Sequence, residues 1–219
     1  MSFSLSHGKK LDVGDLGLLD EQLPPWQEGP IDLKAWFAPE GHDRPLELEI
    51  GSGKGTFLIR QAKQSPLVNF VGVEYAKAYW CYAADRCRRH GLTNAMLVRA
   101  EAHFFVRNYV PDACLRRVHL YFPDPWPKRR HHKRRLIQGS FLGQLHRTMK
   151  PAAEVRIVTD HFKYYDWIVS KAQRAGHLFE HLPWGNLTGM TRGDLVDTNF
   201  ERKYRLESRP LYAMILRKR

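Results

Sequence analysis

Residues 122–135 place one carboxylate beside a dense run of cations, and few structural tasks need that combination. Pro123, Pro125 and Pro127 remove three backbone hydrogen-bond donors and push the residue before each of them toward an extended conformation. Asp124 lies between the first two prolines, so we expect its side chain to project from a stiff segment outside helices and strand ladders. Such stiffness suits a site that must hold a carboxylate at a fixed position against a ligand.

The run at 128–135 contains six Lys or Arg and two His side chains, which predicts an anionic partner. The whole chain has 35 Lys and Arg against 23 Asp and Glu, a formal net charge of +12, and nucleic acid is the first candidate. We expect the run just before or inside the first turn of a helix, where the macrodipole disfavours cations unless phosphates bind there. A solvated charged surface remains the alternative. Trp126 either stacks on a base or supports the turn.

A second set of residues predicts a cofactor site. Gly51, Gly53 and Gly55 follow a short run rich in apolar residues at 46–50, and glycines there let the backbone pass close to a ligand. Glu74 ends the next predicted strand, where a carboxylate accepts from both hydroxyls of an adenosine ribose. The spacing is GxGxG rather than the GxGxxG of dinucleotide sites. A tight turn without a ligand is the structural alternative.

The acidic residue two positions before the glycines distinguishes between ligands. The carboxylate of Glu49 would repel a pyrophosphate but suits a ligand that carries an ammonium and a sulfonium cation. An acid followed by GxGxG resembles the S-adenosylmethionine site of the Rossmann-like methyltransferases. The alternative is a strand residue that faces solvent, and Glu47, which shares the alternation of Glu49, is expected to be a spectator.

Alternating strand and helix patterns must position these residues. Strands are predicted at 46–50, 69–73, 95–99, 116–122, 154–159, 177–182 and 211–217, and helices from 56 and at 76–90, 136–149 and 162–175. This alternation predicts an α/β fold with a mostly parallel seven-stranded sheet, helices on both faces and an antiparallel edge strand. Open α/β sheets bind ligands beyond the carboxyl ends of their strands. The acidic residues and glycines predicted there are Gly51 to Gly55, Glu74, Glu101, Asp124 and Asp160.

Composition limits the remaining possibilities. A chain of 219 residues fits one α/β domain at 45–219 after a partly ordered leader at 1–44, which is rich in Gly, Pro and charge. Cys81, Cys87 and Cys114 form no CxxC pair, so we expect reduced thiols and no metal site. No apolar segment approaches the length of a membrane span, and we expect a cytoplasmic protein.

Taken together, the motifs resemble the bacterial tRNA (guanine-N7-)-methyltransferase family. The resemblance covers about residues 46–219 and rests on Glu49 to Gly55, Phe122 to Trp126 with Lys128, Thr159 with Asp160, and Thr198 with Phe200 and Glu201. It implies a class I methyltransferase fold. It also implies transfer of a methyl group from S-adenosylmethionine to N7 of a guanine in the variable loop of tRNA.

The resemblance implies roles for individual residues. Cofactor contacts are implied for Glu49, Gly51, Gly53, Gly55, Glu74, Glu101 and Asp124, and catalysis for Asp124. Substrate contacts are implied for Lys128, Asp160, Thr198, Asn199, Phe200 and Glu201. Two positions depart from the family's pattern, because Glu101 replaces a common Asp and Asn199 replaces a frequent Lys. We expect phosphate contacts from Arg129, Arg130, Lys133, Arg134 and Arg135, and a monomer or homodimer without an obligate protein partner.

The chemistry suits carboxylates without a strong base. Guanine N7 has an in-plane lone pair and no proton to lose, and a sulfonium methyl group is already activated. The protein must align the reacting atoms and stabilise a guanine that becomes cationic. Asp124, Asp160 and Glu201 are candidates, because carboxylates accept hydrogen bonds from guanine N1–H and its amino group.

Two other functions remain open from the residues alone. A nicotinamide-dependent oxidoreductase fits the glycines and Glu74 but not Glu49 or the glycine spacing. A non-catalytic RNA-binding protein fits the net charge but leaves the acidic positions unexplained.

Overall fold

The computed structural model describes residues 11–184, 198, 201, 203 and 206–219. The chain divides into two compact units, Met1–Tyr109 and Val110–Arg219. The described residues form eight strands: β1 Gly17–Leu19, β2 Leu46–Ile50, β3 Asn69–Glu74, β4 Ala95–Arg99, β5 Leu115–Tyr121, β6 Met149–Thr159, β7 Phe179–Pro183 and β8 Tyr212–Lys218. They also form five α-helices: α1 Thr56–Gln64, α2 Lys77–Arg89, α3 Ala102–Asn108, α4 Gly139–Thr148 and α5 Phe162–Arg174.

The first unit is built on parallel strands in the order β1, β4, β3, β2. Strands β2 and β3 are almost completely buried, as expected of parallel strands covered on both faces, although Glu47 and Glu49 of β2 are charged residues. Helices α1 and α2 bury apolar side chains such as Leu58 and Trp80 in a common core with Leu97 of β4. The Trp80 indole Nε1 also donates to the Leu97 carbonyl at 3.1 Å. These contacts hold α1 and α2 against β3 and β4.

Part of the predicted leader is built into this unit. Strand β1 pairs in parallel with β4, and Leu33 and Phe37 are buried. The Asp12 backbone N–H donates to the buried Asp85 carboxylate at 3.2 Å. The sequence patterns did not predict β1, because three residues are too short for an alternating pattern. The division of the chain into a leader and one domain stays a prediction.

The second unit contains strands in the order β5, β6, β8, β7. Strands β5 and β6 pair in parallel, whereas β8 is antiparallel to both β6 and β7. All seven predicted strands are therefore present among the described residues, and β1 is an addition to them. Strand β6 begins at Met149, earlier than predicted, because Pro151 lies in an irregular stretch of the strand rather than ending a helix.

The basic run lies before α4, which is one of the two predicted positions, but it does not form the first turn of that helix. Arg129–Arg134 form a short 3-10 helix, and α4 starts only at Gly139. The cations therefore lie outside the first turn of α4, and the macrodipole argument for bound phosphates does not apply to them. Every helix among the described residues is too short or too polar to cross a lipid bilayer.

Gly72 in β3 provides a test of packing in the first unit. A Cβ atom at this position would lie 2.5 Å from Ser52 Oγ and 2.7 Å from Leu97 Cδ1. We expect Gly72→Ala to lower the free energy of unfolding by about 1–3 kcal/mol, the usual cost of overpacking. Urea denaturation measures the change.

The matched control is Gly143→Ala in α4. A Cβ there meets no atom within 4 Å, so the helix propensity of Ala should raise stability by about 0.5–1 kcal/mol. Equal or greater stability of Gly72→Ala relative to wild type would contradict the packing argument.

Candidate active site

The first unit presents its glycine turn directly after β2. Gly51, Gly53 and Gly55 have φ angles of +77°, +52° and +69°, a region that glycine adopts without steric cost. A Cβ on Gly51 would meet nothing within 4 Å, so open space adjoins the turn there. Gly55 differs, because its Cβ would lie 3.0 Å from Ala83 Cβ of α2. The turn therefore combines exposed backbone on one side with close helix packing on the other.

Glu74 and Arg86 hold the glycine turn in place. The Gly53 and Ala76 backbone N–H groups donate to the two Glu74 carboxylate oxygens, each at 2.9 Å. Arg86 Nη1 of α2 donates to the Lys54 carbonyl at 2.6 Å. A carboxylate oxygen can accept two hydrogen bonds, and each Glu74 oxygen accepts one from these backbone groups. Glu74 therefore has acceptor capacity left for ribose hydroxyls. The sequence patterns did not single out Arg86, since nothing local connects a mid-helix arginine to a turn 30 residues away.

Glu49 is a buried carboxylate beside this turn. Its side chain is 4% exposed, and among the described residues its Oε2 atom has no hydrogen-bond partner. Burial raises the pKa of Glu49 from 4.5 to about 8, and the Glu74 charge adds to the increase. The nearby Ser52 hydroxyl opposes the shift in pKa, although its geometry falls short of a hydrogen bond. An orphaned acidic oxygen of this kind fits a cationic ligand group such as an ammonium.

Glu47 and Glu101 are two further acidic residues of the first unit. Glu47 is also buried, at 1% exposure, so it does not face solvent as expected. Glu101 caps the N-terminus of α3, because its two carboxylate oxygens accept from the His103 and Phe104 backbone N–H groups at 2.9 and 2.7 Å. The cofactor contact of Glu101 stays a prediction. Glu49 and Glu74 lie at the ends of β2 and β3, and Glu101 lies just after β4. These three strands are adjacent and parallel in the sheet.

In the second unit, the loop after β5 carries Asp124 as an exposed residue. The loop is anchored at its start, where the Phe122 N–H donates to the Val158 carbonyl of β6 at 2.7 Å. Phe122 and Trp126 have φ angles of +52° and +42°. The expectation that the following prolines hold these residues extended was therefore wrong. Left-handed backbone at non-glycine residues costs about 1–3 kcal/mol each, so the surrounding contacts must impose it.

The basic run divides into exposed and buried members. Lys128, Arg129, Arg130, Lys133 and Arg134 are exposed, which keeps them available to phosphates. Arg135 is only 3% exposed, and its guanidinium Cζ lies 5.0 Å from the ring centres of both Tyr164 and Trp167. A guanidinium enclosed in this way is not available to a tRNA phosphate, so the predicted phosphate contact of Arg135 was wrong.

Trp126 is covered by the basic run that follows it. The Arg134 guanidinium lies 5.1 Å from the Trp126 ring centre, and the His131 ring meets it edge-on at 5.8 Å. The tryptophan therefore packs the loop against the 3-10 helix. This observation favours a supporting role for the ring.

The remaining predicted substrate residues are only partly described. Asp160 directly follows β6 and pairs with Arg209 at 3.1 Å. Thr198 and Glu201 are buried, and the Glu201 N–H donates to Thr198 Oγ1 at 3.0 Å. Asn199 and Phe200 lie outside the described residues.

Comparison with known proteins gives the family. A family profile described as "Putative methyltransferase" matches residues 43–214. A tRNA (guanine-N(7)-)-methyltransferase from Geobacillus kaustophilus is 33% identical over 178 residues, which span 81% of this chain and 81% of that protein. This chain belongs to the tRNA (guanine-N(7)-)-methyltransferase family. The resemblance predicted from the motifs is thereby confirmed.

Two further members of the tRNA (guanine-N(7)-)-methyltransferase family show similar likeness. The enzyme of that name from Streptococcus thermophilus is 30% identical over 179 residues, or 82% of this chain and 83% of the relative. The one from Nitrosomonas eutropha is 40% identical over 136 residues, or 62% of this chain and 59% of the relative.

Solved structures of other proteins are similar to this chain in fold but not in sequence. A SAM-dependent methyltransferase from Aquifex aeolicus has a TM-score of 0.52 at 16% identity, with 85% of this chain and 86% of that chain covered. A precorrin-6y C5,15-methyltransferase from Geobacter metallireducens has a TM-score of 0.56 at 14% identity, with 84% and 86% covered. They confirm the predicted Rossmann-like methyltransferase fold.

Burial of Glu49 predicts a pH dependence of stability. A carboxyl group whose pKa rises on folding stabilises the folded state below its unfolded pKa, and this contribution is lost as pH rises through the folded pKa of about 8. We expect the ligand-free wild type to lose stability relative to Glu49→Gln between about pH 5 and pH 9. The loss should reach a few kcal/mol, since one pKa unit corresponds to about 1.4 kcal/mol.

Urea denaturation of both proteins across this pH range measures the difference. Comparing the two variants cancels the other titrating groups. A difference in unfolding free energy that stays constant with pH would contradict the raised pKa of Glu49.

Proposed function

We propose that this chain transfers the methyl group of S-adenosylmethionine to N7 of a guanine in the variable loop of tRNA, forming 7-methylguanosine. The observation that carries the proposal is the buried, partly unpaired Glu49 carboxylate beside the glycine turn, in a chain of this family. A pyrophosphate would supply no cation to pair with this buried carboxyl group, which disfavours the nicotinamide-dependent alternative. Relatives named as methyltransferases disfavour the non-catalytic alternative.

We assign cofactor binding to residues of the first unit. Glu49 accepts from the ammonium group, and Glu74 accepts from the ribose hydroxyls while it braces the turn. The backbone at Gly51 and Gly53 lines the cofactor, because their positive φ angles and the open space at Gly51 permit close approach. When bound, S-adenosylmethionine supplies an activated methyl group.

We assign the handling of guanine to carboxylates of the second unit. Asp124 lies on a loop whose backbone is held in a costly conformation, as expected of a group that must keep one orientation. Asp160 accepts from the N1–H and amino groups of guanine, and its charge, together with that of the buried Glu201, offsets the positive charge that develops on the base. Asp160 then exchanges its contact with Arg209 for one with the substrate.

We assign tRNA phosphate binding to the exposed cations of the basic run, Lys128, Arg129, Arg130, Lys133 and Arg134. The protein acts in the cytoplasm as a monomer or homodimer and needs no obligate protein partner. The net charge of +12 supports attraction to a polyanion.

The proposal is tested by product analysis. Purified protein is incubated with labelled S-adenosylmethionine and unmodified tRNA, and the digested RNA is analysed for 7-methylguanosine. We expect Asp124→Ala to reduce the rate of methyl transfer by at least about 100-fold, because a misplaced reacting group costs that much. Asp166→Ala, which removes an exposed carboxylate of α5, is the matched control.

Methyl label on another atom would overturn the assignment of N7. Transfer by folded Asp124→Ala at the rate of the Asp166→Ala control would overturn the role of Asp124.

The role of the basic run is tested by salt dependence. Replacing Arg129, Arg130 and Lys133 with Gln should reduce the magnitude of the slope of log affinity against log salt concentration by roughly 2–3, since each phosphate contact contributes about 0.7–0.9. A filter-binding titration at several salt concentrations measures the slope.

Lys150, Lys163 and Arg174 are exposed elsewhere in the second unit, and their replacement with Gln removes the same charge. If both triple variants change the slope equally, net charge rather than the basic run governs binding.

A further inference from the structure

Arg135 is the one buried cation of the run that begins at Lys128, within the part of the chain that the structure describes. The four basic residues closest to it in sequence, Arg129, Arg130, Lys133 and Arg134, are exposed. Burial lowers the pKa of the Arg135 guanidinium. Desolvating a cation is costly, so the contacts that hold Arg135 inside must be specific.

The contacts of Arg135 are one backbone carbonyl and two aromatic rings. Its Nε atom donates to the Pro125 carbonyl at 2.8 Å. Its Cζ atom lies 5.0 Å from the ring centres of both Tyr164 and Trp167. A planar guanidinium stacks on rings through its faces while it donates from its edge, whereas an ammonium is a point charge and does not combine the two.

The two aromatic rings are themselves held in place by contacts with the protein. Tyr164 is completely buried in α5, and Trp167 Nε1 donates to the Ile137 carbonyl at 2.9 Å. The Gln138 side-chain amide donates to the Arg135 carbonyl at 3.2 Å, which ties the backbone of Arg135 to the start of α4. Arg135 therefore connects Tyr164 and Trp167 to the Pro125 carbonyl, and Pro125 directly follows Asp124.

The loop that Arg135 holds needs an external constraint. Phe122 and Trp126, on either side of the Asp124 and Pro125 pair, have positive φ angles of +52° and +42°. A peptide does not keep two such residues without contacts that impose them. The Phe122 N–H contact with Val158 fixes the start of the loop, and the Arg135 contact fixes its middle.

We propose that Arg135 is a positioning residue that fixes the Asp124 carboxylate by holding the Pro125 carbonyl, and that it makes no contact with RNA. The basic run therefore has two functions, with its exposed members binding tRNA and its last member shaping the catalytic loop. This inference rests on the proposed methyl transfer to tRNA.

The two functions predict different kinetic signatures. Loss of a positioning contact misplaces Asp124, and a displacement of about 1 Å costs up to about 100-fold in rate. We expect Arg135→Lys and Arg135→Gln to lower kcat at saturating tRNA by about 10- to 100-fold and to change the dissociation constant of tRNA less than about threefold. We expect the slope of tRNA affinity against salt to remain at the wild-type value, because no phosphate contact is lost.

The experiment compares single-turnover methyl transfer, tRNA dissociation constants and their salt slopes for these variants. Arg130→Gln is the matched comparison, and it should weaken tRNA binding and reduce the salt slope. Lys163→Gln, an exposed residue of α5, controls for general charge effects. Circular dichroism determines the folded fraction, and all rates are measured at a temperature at which the variants are folded.

Trp167→Leu provides a second variant in which Arg135 is intact but lacks one stacking ring. It should lower kcat with the same unchanged salt slope. If the Arg135 variants lose tRNA affinity and salt dependence as Arg130→Gln does, or keep the wild-type kcat when folded, the positioning role is wrong. Absence of 7-methylguanosine with the wild-type protein would instead overturn the proposed function.

Discussion

The parallel register of β2, β3 and β4 is the constraint on which the first unit depends. Glu49 is opposite Gly72 in this register, and the missing side chain of Gly72 leaves the volume that Ser52 and its neighbours occupy. Because all three strands end at the same edge, the glycine turn and the acidic residues at the strand ends form one surface. The hydrogen bond from Gly53 to Glu74 connects the ends of two of these strands directly.

The sequence predicted the elements whose signals are local. Runs rich in apolar residues identified β2, β3 and β4, and the helix predicted at 76–90 matches α2 to within one residue at each end. Gly91, which follows α2, has a φ angle of +63° and ends the helix. Strand β1 was not predicted, because three residues are too few to show an alternating hydrophobic pattern. The starts of α4 and β6 were wrong because the basic 3-10 helix and the irregular strand around Pro151 have no strong local pattern.

The candidate site shows the same division between local and distant causes. The positions of Glu49, Glu74 and the glycines at the ends of β2 and β3 were predictable, because the strand patterns that precede them are local, whereas their contacts with a cofactor stay predictions. The buried state of Arg135 was not, since it depends on Tyr164 and Trp167, which are about 30 positions away in the sequence. The prolines favour extended neighbours at Phe122 and Trp126, but tertiary contacts override that preference. The count of basic residues at 128–135 therefore included one cation, Arg135, that is buried inside the protein.

Glu49 has a consequence for the energetics of ligand binding. With a pKa of about 8, its carboxyl group is mostly protonated in the ligand-free protein near neutral pH. A cation that pairs with the ionised carboxylate must displace this proton, so binding and proton release are thermodynamically linked. Methyl transfer to an aromatic lone pair requires no base, yet the occupancy of any methyl donor whose ammonium group pairs with Glu49 becomes a function of proton activity.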